Sequence, residues 1–211
     1  MSTLKKFKQK VIMMKMTKEE QYGQLVLINI LSCIWLGEWD RYEELFQNMD
    51  DKLKENFPFH SHYDQEDVKL WYENYFFIPG DYFVSPYFSS YIKKGHDEHE
   101  ERKKDLLCLI GLYEKTGFLY PLEKEIYPDH FGCITAFLGS LIQESIKADV
   151  EKDEEYKRKL AELKQFVICN YILPILPTLQ KNALTKVKHS FFKEFLSFYI
   201  KMMQEDWQEA A

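Results

Sequence analysis

Asp129 and His130, adjacent in the stretch Tyr127-Pro128-Asp129-His130-Phe131-Gly132, are the side chains of this chain best suited by type to acid–base chemistry. A carboxylate and an imidazole relay a proton only when both reach the same reacting atom. As neighbours on one helical turn they project about 100° apart, so by themselves they do not form such a dyad. An imidazole at a helix N-terminus also has its protonated form disfavoured, which leaves it a neutral hydrogen-bonding group. One reading makes Asp129 a helix cap and His130 a packed first-turn residue; the other makes them the working groups of a hydrolase or nucleotide-handling protein. No GxSxG, HExxH, phosphate-loop or dinucleotide fingerprint supports the second. His60 and His62, two apart, would share a face of an extended segment and could ligate a metal. No third ligand stands at a suitable spacing for that.

The element that must position Asp129 and His130 is the helix that follows them. Pro128 fits a first helical turn, where its missing N–H costs nothing. Asp129 then lies beside unsatisfied amides and the positive end of the dipole. Phe131, Ile134, Leu138, Leu141 and Ile142 form an apolar stripe at helical spacing. Gly132 and Gly139 would let another helix approach closely.

Before it, Thr17-Lys18-Glu19-Glu20 is a capping box that opens a helix running to about Leu36, closed by Gly37. Leu25, Ile28, Leu31 and Trp35 define its buried face. A second helix is predicted over Trp39–Phe57 with Pro58 as its stop, and a third over about Asp64–Phe77. Residues 78–96 break the pattern with Pro79-Gly80, Ser85-Pro86 and Gly95, and the rings of Phe76, Phe77, Tyr82, Phe83, Tyr87, Phe88 and Tyr91 crowd this break. A long loop lined with aromatics either packs down as a lid or offers a binding surface. A charged helix start at His96–Lys104 leads into a helix closed by Gly117. After the Asp-His helix, Lys147–Asp153 reads as a charged connector. A helix from about Glu154 follows, ended or kinked by Pro174 and Pro177, and a last helix covers about Val187–Trp207.

Composition bounds the rest. With 211 residues, 45% hydrophobic content and only 8 glycines and 7 prolines, the chain can bury a sizeable core and favours helices. The fold class expected is a single all-α domain of about seven or more helices over residues 17–211, preceded by a basic flexible lead-in, residues 1–16. That lead-in holds five lysines and no acid; with a total charge of −6, subtracting its +5 leaves −11 on the remainder. An acidic body disfavours nucleic acid, which requires clustered Lys and Arg against phosphates. Cys33, Cys108, Cys133 and Cys169 lie far apart with no CxxC pair, which predicts four buried thiols in a reducing compartment. The longest largely apolar run, Leu25–Leu36, is short of the about 20 residues a membrane span needs. A cytoplasmic protein is expected.

Two segments resemble a known family, the TorD/DmsD-type redox-enzyme maturation chaperones, relatives of NarJ. Tyr72-Glu73-Asn74-Tyr75-Phe76-Phe77-Ile78-Pro79 through Ser85-Pro86-Tyr87-Phe88-Ser89-Ser90-Tyr91 resembles that family's aromatic segment and Pro-aromatic-x-Ser-x-aromatic loop, with Ile78 where a glycine is usual and Tyr87 in place of a Trp. Pro128-Asp129-His130 resembles its Pro-Asp-His signature. The resemblance implies a TorD-like helical bundle and a chaperone, not an enzyme. It would bind the twin-arginine signal peptide (the leader) of a molybdenum-cofactor oxidoreductase. It would also assist cofactor insertion into the apo-form of the catalytic subunit before export. By the same resemblance Phe76, Pro79, Pro86, Tyr87, Ser89, Tyr91, Pro128, Asp129 and His130 would bind the leader, with Asp129 as charge partner of its basic end. A monomer or helix-swapped dimer is expected, the loop and the connector being the hinges at which helices could swap, with no cofactor beyond the weak guanine-nucleotide binding that the resemblance implies. A helical adaptor without leader specificity is the remaining alternative.

Overall fold

Thr17 opens the first helix by the reciprocal bonds its sequence predicts: the Glu20 amide donates to its hydroxyl and its own amide donates to the Glu20 carboxylate. In the computed structural model, which describes residues 17–91, 98–120 and 125–205, α1 (Lys18–Leu36) ends at Gly37, whose φ of 66° is the left-handed conformation glycine adopts without penalty. The basic lead-in, Gly95, His96 and Trp207 lie outside the described residues.

The predicted helix over Trp39–Phe57 is divided. It forms α2 (Trp39–Gln47) and a single turn, α3 (Asp51–Lys54), because Asp50 is extended and its carboxylate accepts the Lys52 amide as a new cap. The Pro58–His62 segment that follows is a 3-10 helix, not an extended loop. At about 120° per residue, His60 and His62 therefore do not share a face. His60 stacks on Phe46 and its Nδ1 lies 2.9 Å from the Tyr42 hydroxyl.

Helix α4 (Gln65–Tyr72) runs on into a π turn, Glu73–Phe77, in which the Ile78 amide reaches the Glu73 carbonyl. Helix α5 (Glu98–Thr116) closes at Gly117, again at positive φ. Helix α6 (Phe131–Glu151) is longer than predicted, since the expected connector from Lys147 is helical as far as Glu151. Buried Ile146 and Ala148 and a bond from Lys157 to Asp149 hold that last stretch. Helix α7 (Glu154–Val167) passes through a π turn, Ile168–Ile172, and a 3-10 turn holding Pro174 into α8 (Leu176–Lys186). Helix α9 is Ser190–Glu205. The all-α class stands: the described residues contain helices and one isolated bridge, with no strand.

The α1–α6 pair organises the bundle. A Cβ at Gly132 would lie 2.5 Å from Leu36 Cγ and one at Gly139 would lie 2.8 Å from Ile28 Cγ2. At the far end, Gln21 donates to Asp149. Rising numbers on α1 meet falling numbers on α6, so the two are antiparallel, packed along the two glycines. Trp35 sits fully buried, with the rings of Phe76, Phe131, Phe195 and Tyr199 all within 5.5 Å. One aromatic cluster thus joins α1, the π turn, α6 and α9. Of the four cysteines expected to be buried, Cys33 and Cys133 are; Cys108 and Cys169 are exposed, on helix faces turned away from the core.

Candidate functional site

Helix α6 begins at Phe131, later than Pro128 suggests. His130 is its N-cap: it is extended, at φ −63° and ψ 134°, and its Nδ1 accepts the Gly132 amide at 3.0 Å. The capping role expected of Asp129 belongs to its neighbour. With Nδ1 accepting, the neutral imidazole carries its proton on Nε2.

The extended backbone at 129–130 has a partner. Tyr87 and His130 form an antiparallel bridge. The Phe88 amide donates to the Asp129 carbonyl at 3.0 Å and the Phe131 amide to the Pro86 carbonyl at 2.8 Å. In such a pair the two side chains stand on the same face, and the Tyr87 and His130 rings meet edge-to-face at 5.1 Å. Asp129 adds a third tie, its Oδ2 accepting the Ser89 amide at 3.0 Å. From below, the buried Tyr113 hydroxyl donates to the Pro128 carbonyl at 2.9 Å, fixing the segment to α5.

The aromatic loop is pinned at several other points. The Val84 amide donates to the Tyr75 carbonyl in the π turn, and Lys186 Nζ donates to the Phe83 carbonyl at 2.8 Å. The Tyr91 hydroxyl donates to the Ser85 carbonyl at 2.7 Å, and the Ser85 hydroxyl to Ser90 Oγ. Segment 83–91 is thus a fixed surface whose backbone polar groups are largely satisfied.

This packing sorts the nine residues proposed from sequence into two sets. Pro86, Pro128, Asp129 and His130 are buried beneath the corner, and Phe76, 3% exposed, belongs to the core against Trp35 and Phe192. Asp129, 6% exposed and engaged with Ser89, does not stand in the open position expected of a charge partner. Tyr87, Ser89 and Tyr91 are half-buried at the surface, and Pro79 is exposed. Burial, together with the nearby Asp129, Cys133 and Tyr127, raises the Tyr87 phenol above its ordinary range. Burial pushes the Tyr91 phenol up to about 12, against a hydrogen bond with Asn182 that pulls it down. Both rings are neutral hydroxyl donors near neutral pH.

Two tyrosines adjoin the corner. Tyr127 is 67% exposed, and its ring meets Tyr87 at 6.0 Å. Tyr72 lies over the end of α1, donating its hydroxyl to the Trp35 carbonyl. Glu38 follows immediately on that end. Nothing local in the sequence joins Tyr72 to the end of α1 or to Tyr87; these elements are far apart in the chain. Phe77, next to buried Phe76 in the π turn, is 71% exposed because the inner face, Val68, Tyr72, Tyr75 and Phe76, keeps helical spacing.

Among the described residues, no His, Cys, Asp and Glu group could hold a metal ion, and no helix is long and apolar enough to cross a membrane. Searches of curated proteins and of solved structures find no match to the chain. The family model for the nitrate reductase delta subunit matches residues 40–179, a span of 140 of the 211 residues. That span contains both the Ser85–Tyr91 loop and the Tyr127–His130 stretch that the bridge joins. The chain belongs to the nitrate reductase delta subunit family, the NarJ-type chaperones of molybdoenzyme maturation.

Proposed function

We propose that this chaperone binds the leader peptide of a molybdenum-containing oxidoreductase at the corner formed by Ser85–Tyr91, Tyr127–His130 and Tyr72. It would hold the apo-form of the catalytic subunit in the cytoplasm until its cofactor is inserted. One observation carries the reading: the Tyr87–His130 bridge makes a single surface of the two segments that resemble the twin-arginine leader-binding chaperones. Tyr87, Ser89, Tyr91, Tyr127 and Pro79 offer the contact surface. Pro86, Pro128, Asp129 and His130 hold it in shape from beneath, and Phe76 anchors it to the core. A leader carries a basic end and an apolar run, and rings with a polar edge on an acidic body suit both parts. The work is binding rather than catalysis.

Calorimetric titration with a twin-arginine leader peptide and its Arg→Ala variant tests the proposal. The expected result is saturable binding that weakens when the arginines are removed. Tyr87→Ala should weaken it at least tenfold with little change in Tm. Absence of binding by the unaltered protein would overturn the reading.

A further inference from the structure

The end of α1 packs against the base of the Tyr87–His130 corner. Leu36 packs on Gly132, whose amide donates to His130 Nδ1. At Gly37 a Cβ would lie 2.9 Å from Tyr72 Cε1, so the tyrosine ring rests directly on the turn that ends the helix. The Tyr72 phenol is held well above its usual range by burial first, and then by Tyr87 and Glu38. The residue emerging from this turn beside the aromatic surface is Glu38, its amide tied back to the Cys33 carbonyl at 2.9 Å.

The Glu38 side chain is only 20% exposed, whereas that of Arg41, which reaches it from the next turn, is 57% exposed. Their contact, Arg41 Nη1 to Glu38 Oε2, is 3.4 Å, beyond the 2.7–2.9 Å of a strong charge-assisted bond. A pair of this kind, between neighbours on one helix and largely in water on the cation's side, contributes little. The buried Cys33 thiol also donates to Glu38 Oε2, at 3.9 Å. A guanidinium arriving from a bound peptide would take the place of Arg41 on the carboxylate, where 20% exposure leaves the charge less screened than in open water.

We propose that Glu38 accepts a guanidinium of the bound leader, and that Arg41 is an intramolecular stand-in that this guanidinium displaces. This rests on the peptide-binding reading above and names the group that reads the peptide's arginine. It also accounts for a site in which Asp129, the acid expected to do so, is buried and engaged with Ser89. Arg41 competes with the ligand, so its removal strengthens binding, the opposite of what loss of a structural ion pair would do.

The test titrates the full chain, as wild type, Glu38→Gln and Arg41→Ala, with a twin-arginine leader and its Arg→Ala variant, alongside circular dichroism of each protein. Expected are a loss of roughly tenfold or more for Glu38→Gln, and equal affinity of that variant for the two peptides. Arg41→Ala should bind the arginine leader about two- to fivefold more tightly. A folded Glu38→Gln protein that still discriminates the two peptides as wild type does would overturn the inference and leave the peptide-binding reading standing. So would a folded Arg41→Ala protein of unchanged affinity, a measurement that remains decisive even where Glu38→Gln fails to fold. No binding by wild type would overturn both.

Discussion

The carboxylate of Asp129 accepts the backbone amide of Ser89 at 3.0 Å, joining residues 40 apart in sequence. It lies beside the backbone bridge of Tyr87 and His130, so three hydrogen bonds hold the aromatic loop to the start of α6. The acid–histidine pair thereby has two structural roles. Asp129 holds the loop, and His130 caps the helix.

Asp129→Ala removes the acceptor and leaves the half-buried Ser89 amide without this partner. A hydrogen bond to a charged group is worth about 1.5–3 kcal/mol, so a loss of that order in unfolding free energy is expected. Asp129→Asn keeps an acceptor oxygen and should cost less. Urea denaturation of both variants checks the order, and hydrogen exchange at 88–90 should rise most in the alanine variant.

Gly132→Ala would place a methyl group 2.5 Å from the Leu36 side chain. Overpacking of this kind costs typically 1–3 kcal/mol. Because the closest contacts are with Leu36, and His130 Nδ1 follows at 3.0 Å, Leu36→Ala should recover part but not all of the loss in the double variant. Two single losses that simply add in thermal denaturation would place the cause elsewhere.

Adjacent Phe76 and Phe77 should behave oppositely. Phe76 is buried against Trp35 and Phe192, and its truncation to Ala should cost about 3–5 kcal/mol. Phe77 is 71% exposed, and its truncation should change stability by about 0.5 kcal/mol at most. Comparable Tm losses for the two would contradict the burial of one ring and the exposure of the other.

Stability should fall as pH drops below about 6.5, in part through His60. Its folded-state pKa is lowered from the ordinary 6.5 by burial and then by Lys54. Below 6.5 the unfolded chain takes up the proton before the folded one does, so acidification favours unfolding until the folded-state pKa is passed. His60→Gln should flatten the dependence of Tm on pH between 5 and 7, and an unchanged slope would rule His60 out as its source.

Much of the fold was legible locally. The Thr17 capping box, the stop at Gly37, the closure at Gly117 and the apolar stripe from Phe131 depend on residues within a few positions of one another, and each formed where its sequence predicts. Gly132 and Gly139 marked the side from which another helix would approach, but not which helix. Local pattern misled where competing caps or burial intervened: Asp50 divided the second helix, and packing of Ile146 and Ala148 kept the charged stretch after Lys147 helical.

The two motif segments could be read from sequence as belonging to one family, through residue types in order. What each residue does was decided only by tertiary contact. Side-chain type does not reveal whether a carboxylate faces water or a backbone amide from another part of the chain. Asp129 became a buried anchor because the loop at 85–91 lies against it. The end of α1, after which Glu38 follows, lies beneath that corner because Gly37 packs under Tyr72 and Leu36 on Gly132. Hydrogen bonds and close packing between distant segments depend on where helices cross, and that information is spread over the whole core.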